Sequence, residues 1–201
     1  MTRLMLARHG ETPWHFENRY TGSSDIGLTE LGIAQAAKLG KWSGRQGFAA
    51  VYSSDLSRAI RTATPAAEAL GVPLNIDARL REVDFGAGEG KTPAEMMAAF
   101  PAARAEFELH PGHSALPGGE SGAVAVTRAW PALEEISAAH ESEDVLVVMH
   151  ATLMRLILCR ILDMPFDRYR SAFPGVLNAA ITTVTIDRDA PALHGYNVTP
   201  D

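Results

Sequence analysis

Residues 144–162 read "DVLVVMHATLMRLILCRIL", and the change of rhythm inside this stretch decides the fold. Val145–Met149 is a continuous apolar run, too short for a helix and rich in valine, which marks a buried strand. Beyond His150 the period changes. Met154, Ile157, Leu158 and Ile161 recur at helical spacing, and the pattern closes before Pro165. A buried strand running straight into a helix is the unit from which parallel sheets are built.

Working outward, residues 3–7 and "AAVYS" (49–53) are shorter strands of the same kind, each followed by a helical stretch. Thr29 can cap a helix running to about Leu39. Asp55 can cap another, in which Leu56, Ile60, Ala63, Ala67 and Leu70 share a spacing. A further helix is expected from Ser121 to about Ala139, with Val124, Arg128, Leu133 and Ile136 spaced to show two faces. The alternation predicts an α/β fold: a three-layer α/β/α sandwich with a mostly parallel central sheet. Between about 78 and 120 the pattern turns irregular and rich in Gly, Pro and His. That segment is expected as a lid-like insert covering the carboxyl edge of the strands, within a single domain spanning 1–201.

The bulk composition narrows the function classes. A formal net charge of −6 argues against a general nucleic-acid or anionic-membrane surface, although one pocket can still be locally positive. The single cysteine, Cys159, cannot form an internal disulfide and falls in an apolar helical pattern, as a buried core thiol would. The N-terminal apolar run, Leu4 to Ala7, is too short for a signal peptide, and no stretch approaches membrane-spanning length. A cytoplasmic protein is the expectation.

One motif invites a different conclusion. "GAGEGKT" (86–92) resembles a phosphate-cradling nucleotide loop, but Phe85 stands where the first glycine is required and the charged "RLREVD" precedes it. It reads better as a turn leading through Lys91, Thr92 and Pro93 into the next helix.

The chemistry gathers where the three strands end. The first ends in Arg8-His9-Gly10-Glu11-Thr12, the second leads to Arg58 in a helix first turn, and the third ends at His150. In a parallel sheet ligands bind beyond the carboxyl ends of the strands. Two imidazoles, two guanidiniums and nearby helix amides at one edge make an anion pocket, and a phosphate monoester suits it. Singly, each residue has an ordinary structural explanation: a hydrogen-bonded histidine, a solvated arginine. Their convergence favours function.

"RHGET" (8–12), "SSDLSRAIRTA" (53–63), "LREVDFGAGEG" (80–90), "PGGES" (117–121) and "VVMH" (147–150) occur in the order expected of the histidine phosphatase superfamily, the family of cofactor-dependent phosphoglycerate mutases and related phosphatases. The resemblance covers roughly residues 3–165. It implies a phosphoric monoester hydrolase in which His9 is the nucleophile, forming phosphohistidine, while Arg8, Arg58 and His150 hold the phosphoryl oxygens. It implies that Glu82 protonates the leaving oxygen and then activates water, with Glu11 or Asp84 as candidate neighbours that would tune it. A surface carboxylate paired with Arg79 or Arg81 is the alternative for Glu82. His15, Thr21, Gly22 and Ala151 complete the implied substrate-binding set, with no metal and no cofactor. The implied partner is a small-molecule phosphate monoester, with homodimerisation allowed.

Two positions depart from the family pattern. Ala151 stands where glycine usually follows the second histidine, which is costly only if the backbone there needs a positive φ. His15, in "ETPWHFENR" (11–19), replaces an asparagine after Trp14. "REVDFG" (81–86) differs from the "NERHYG"-like stretch of the mutases and looks more like the small-molecule phosphatases, of the alpha-ribazole phosphatase or glucosyl-phosphoglycerate phosphatase type. A phosphoglycerate-type mutase and a non-catalytic phospholigand-binding module are the alternatives. "HPGH" (110–113) lacks the further ligands a zinc site needs. Arg104 is either a contact to a second anionic group or a solvated helix residue, and Trp14, Trp42 and Trp130 are read as packing.

Overall fold

A computed structural model describes residues 1–186 and 191–201. Among these residues one sheet has six strands in the order β3-β2-β4-β1-β5-β6. β1 (Arg3–Arg8), β2 (Ala50–Ser53), β3 (Leu74–Ile76) and β4 (Asp144–Met149) are mutually parallel. β5 (Ile181–Thr185) and β6 (Ala192–Val198) extend the sheet antiparallel beyond β1. β4 lies at the centre because it alternates between two cores, as an apolar run must. Val145, Val147 and Met149 join Leu4, Leu6, Leu133 and Ile157 on one face. Leu146 and Val148 join Ala7, Leu39, Val51 and Ala63 on the other.

The helices follow the same division. α1 (Pro13–Phe16) is a single turn after β1. α2 (Glu30–Ser43) packs on α3 (Ser57–Leu70) so closely that a Cβ on Gly40 would come within 2.7 Å of Pro65. α4 (Pro93–Ala99) and α5 (Pro101–Leu109) lie in the irregular segment, with Met96 and Phe107 buried. α6 (Gly122–Ala139) and α7 (Ala151–Ile161) cover the second face, followed by the short α8 (Tyr169–Ala172). Thr29 caps α2 as expected, and Ser121 caps α6.

Some local expectations are corrected. Asp55 does not cap α3: its carboxylate pairs with Arg81, and the Ser57 amide donates instead to Asp25 Oδ1 at 2.8 Å. A cap from 32 residues away leaves no local signal. α2 runs past Leu39 to Ser43, because Leu39, Gly40 and Ser43 are all buried. "GAGEGKT" is a turn: Gly86 and Gly90 have φ of 51° and 70°, and Thr92 caps α4 with Glu95 closing the capping box. The "HPGH" turn docks on Asp167, which accepts from the Gly112 amide at 2.8 Å and faces both histidines. No helix among the described residues is long and apolar enough to cross a membrane.

Candidate active site

The sheet register itself assembles the site. Arg8 lies opposite Met149 and Ser53 opposite Val148, so the next residues of three strands emerge side by side. The His9 amide donates to Met149 O at 3.0 Å and the Ser54 amide to Val148 O at 3.3 Å. The His9 and His150 rings consequently sit 5.1 Å apart.

His9 is buried, with Nδ1 2.7 Å from the Gly10 carbonyl oxygen. A carbonyl only accepts, so Nδ1 carries the proton and Nε2 keeps its lone pair. Burial, then the positive neighbours, holds the His9 pKa well below 6.5, so the ring stays neutral near pH 7. The backbone around it is pinned twice: Gly10 N donates to Thr62 Oγ1 at 2.9 Å, and Asn178 Nδ2 donates to His9 O at 2.8 Å.

Two guanidiniums flank the ring, Arg58 buried and Arg8 half-buried. Arg58, 0% exposed, donates from Nη1 to Ser24 O at 2.7 Å and from Nη2 to Gly22 O at 2.6 Å. Arg8 donates from Nη1 to Val176 O at 2.6 Å and from Nη2 to His15 Nε2. His15 sits between donors on both sides: Arg8 Nη2 donates to its Nε2, and its Nδ1 lies 2.9 Å from both the Thr12 amide nitrogen and Thr12 Oγ1. Burial and Arg8 push His15 down to about 4, so its ring is neutral near pH 7. Burial lowers Arg8 to about 10, still a cation there. Arg8 Nε, Arg58 Nε and His150 Nδ1 are buried without a hydrogen-bond partner among the described residues. His150 Nε2 is engaged by Ser54 Oγ at 2.7 Å, and burial with Arg58 and Arg8 keeps its ring neutral. Orphaned polar groups clustered around cations are costly unless an anion satisfies them.

Glu82 is the carboxylate of this pocket. Oε1 accepts from the amides of Val83 (2.9 Å) and Leu153 (2.8 Å), and Oε2 from the Thr152 amide at 2.8 Å. The α7 N-terminus therefore holds it, and neither Arg79 nor Arg81 does: those pair with Asp77, Glu135 and Asp55. Glu11 accepts from Thr29 and Asp84 from the Gly86 amide, and among the described residues neither is hydrogen-bonded to Glu82.

Arg8, His9, His15, Thr21, Glu82 and Ala151 all line one cleft of about 260 Å³. Arg58, His150 and Gly22 lie behind its wall. Ala151 begins α7 and is not among the residues with positive φ, so the missing glycine carries no strain. Arg104 is neither solvated nor in the cleft, but buried with its guanidinium 6.0 Å from the Tyr20 and Phe107 rings. Trp14 both packs and lines the cleft. A wider recess of about 520 Å³, lined by Met1, Thr2, Glu134, Glu135 and Glu141 among others, lies near the opposite strand ends. It contains no nucleophile paired with a base, so the chemistry belongs to the histidine cleft.

Sequence reasoning misses Ser54, Asn178, Arg155, Arg170 and Glu89. Glu89 accepts from the amides and hydroxyls of Ser23 and Ser24, fastening the loop whose carbonyls grip Arg58. Thr62 Oγ1 donates to the Arg58 carbonyl one turn back and accepts from the Gly10 amide, tying α3 to the end of β1. A Cβ at Gly22 would overlap the Val83 carbonyl oxygen and the Glu89 carboxylate. Gly22→Ala is therefore expected to cost about 2 kcal/mol, lowering the melting temperature by roughly 4–8 °C in a chain this size. Turnover should fall with it as Arg58 loses its acceptor; calorimetry beside an activity assay would check both.

Residues 4–199 match the family model described as histidine phosphatase superfamily (branch 1). Phosphoserine phosphatase 1 of Hydrogenobacter thermophilus is 31% identical over 99% of this chain and 93% of its own. The bifunctional protein Rv2228c of Mycobacterium tuberculosis is 40% identical over 81% of this chain, which spans only 44% of that protein's length. The structure of mycobacterial glucosyl-3-phosphoglycerate phosphatase Rv2419c in complex with VO3 superposes with a TM-score of 0.87 at 30% identity, covering 98% of this chain and 99% of that one. The strand-end histidines, the paired guanidiniums and these likenesses agree: the chain belongs to the histidine phosphatase superfamily, branch 1.

Proposed function

We propose that this histidine phosphatase is a metal-independent phosphomonoesterase acting on a small phosphorylated metabolite through a phosphohistidine on His9. The observation that carries the reading is the His9 tautomer: with Nδ1–H given to Gly10 O, Nε2 is a free nucleophile beside the guanidiniums of Arg8 and Arg58. In the first step Nε2 attacks phosphorus, the bond to the ester oxygen breaks, and Glu82 gives that oxygen its proton. In the second, water attacks phosphorus while Glu82 takes its proton, and the P–N bond breaks to release phosphate. Arg8 and Arg58 stabilise the charge on the transferring oxygens, a task metal ions perform in other phosphoryl-transfer enzymes.

The test is hydrolysis of p-nitrophenyl phosphate by EDTA-treated protein, with alkali-quenched samples examined for labelled protein phosphate. Turnover in EDTA, with a base-stable and acid-labile phosphoprotein, is the expected result. Activity abolished by EDTA and restored by Mg²⁺ would overturn it. Turnover of phosphoglycerate only when primed by a bisphosphate would indicate a mutase, and binding of phosphate compounds without labelling a non-catalytic module.

A further inference from the structure

The outer wall of the cleft carries more positive charge than a phosphate monoester requires. Beyond Arg8, its lining includes Arg19, Arg155 and Arg170, against the single carboxylate of Glu82. Arg19 is spent on the fold, bridged to Glu17 at 2.6 Å and Glu95 at 2.7 Å. Arg155 and Arg170 have no carboxylate partner among the described residues, in a protein whose acidic residues outnumber its Lys and Arg, 24 to 18.

Each guanidinium is held by its face and one edge. Arg155 lies 4.9 Å from the Tyr169 ring centroid and makes only long bonds, from Nε to Ala151 O (3.2 Å) and from Nη1 to Phe173 O (3.4 Å). Arg170 lies 4.8 Å from the Phe107 ring and donates from Nε to the Tyr169 hydroxyl at 2.9 Å. Aromatic stacking fixes a guanidinium plane while leaving its in-plane N–H groups available. Arg155 Nη2 and both Nη atoms of Arg170 donate to no described residue. Both side chains are half-buried, which makes an ion pair to a bound ligand stronger than one on an open surface.

We infer that Arg155 and Arg170 form a second anion subsite, and that the substrate is a phosphomonoester bearing a carboxylate near its ester oxygen. This rests on the phosphomonoesterase reading for where the phosphate sits. Arg155 lies one helical turn beyond the α7 N-terminus that holds Glu82. Both guanidiniums line the same cleft as Arg8 and His9, so a short ligand can reach both anion sites. The cleft of about 260 Å³ suits a ligand of that size.

The experiment compares 3-phosphooxypropionate with its amide, which replaces only the charged carboxylate. Binding is measured by calorimetry on the His9→Ala variant, so that turnover plays no part, and kcat/KM on the wild type. The acid is expected to bind about 10-fold or more tightly than the amide. Arg155→Gln and Arg170→Gln, each made in the His9→Ala background, should bring that ratio towards one. The acid/amide ratio is taken within each variant, so a general loss of folding or affinity cancels. Equal binding of acid and amide, or a preference that survives both substitutions, overturns the subsite. Failure of the wild type to hydrolyse any phosphate ester while the preference persists would instead overturn the hydrolase reading and leave the subsite standing.

Discussion

His9→Ala is expected to lower the turnover of any phosphate ester by at least about 10⁴-fold while leaving a folded protein, as when other nucleophilic residues are removed. Nothing else in the cleft can take over. His15 Nε2 is occupied by Arg8, and His150 is fully buried, does not line the cleft and has its Nε2 held by Ser54. Losing the imidazole leaves the Gly10 carbonyl without its partner, which costs about 1–3 kcal/mol when the group stays buried. The other anchors of that strand end, Thr62 to Gly10 N and Asn178 to His9 O, do not involve the ring and should keep it in place. Circular dichroism and a melting curve would establish the fold, and a phosphate-release assay the turnover. A folded variant retaining a tenth of the wild-type rate would refute the phosphohistidine mechanism.

The second large effect concerns Glu82. Its carboxylate accepts two amides at Oε1 but one at Oε2, so a lone pair at Oε2 remains for a proton facing the cleft. In Glu82→Ala the first-turnover rate should fall roughly 10²–10⁴-fold for an alkyl phosphate, whose leaving oxygen needs a proton, following the usual scale of general acid catalysis. The nitrophenyl ester, whose leaving group departs as an anion, should lose much less in that first turnover. Its steady-state rate should still suffer, because the water that clears phospho-His9 has lost its base, and labelled phosphoprotein should accumulate. Rapid-quench kinetics on the two esters would separate these steps. Equal slowing of both in the first turnover would remove Glu82 from the acid role.

Glu82→Gln is not an innocent control here. An amide nitrogen at the Oε2 position would set an N–H donor against the Thr152 amide, and the guanidiniums of Arg8 and Arg58 would lose the negative charge that opposes their desolvation. The alanine variant leaves the same amides unpaired but avoids that opposed contact, which makes its kinetics the simpler to read.

What could be read from one dimension was whatever depended on near neighbours. The apolar run 145–149, the shift to helical spacing after His150 and the cap at Thr29 are local physics, and they appear in the structure where the sequence places them. The α/β class followed, and with it the expectation that residues leaving strand ends would meet. Arg8, His9, Arg58 and His150 stood out together: each alone has an ordinary structural explanation, and only their convergence at strand ends favours function.

Tertiary structure decided everything that depended on register and on carbonyls. Which ring nitrogen of His9 is free follows from one contact to Gly10 O; that Arg58 is fully buried follows from the carbonyls of Gly22 and Ser24, themselves held by Glu89. Backbone carbonyls are the same in every residue, so no side-chain pattern announces them. The cap that Asp25 supplies to α3, the pairing of Asp55 with Arg81 and the meeting of Arg155 with Arg170 likewise join segments whose separation along the chain carries no information about their distance in space. The sequence by itself determined that two histidines and two arginines stand at strand ends; folding alone chose the ring tautomer of His9, the buried partners of Arg58 and which guanidiniums have no carboxylate partner among the described residues.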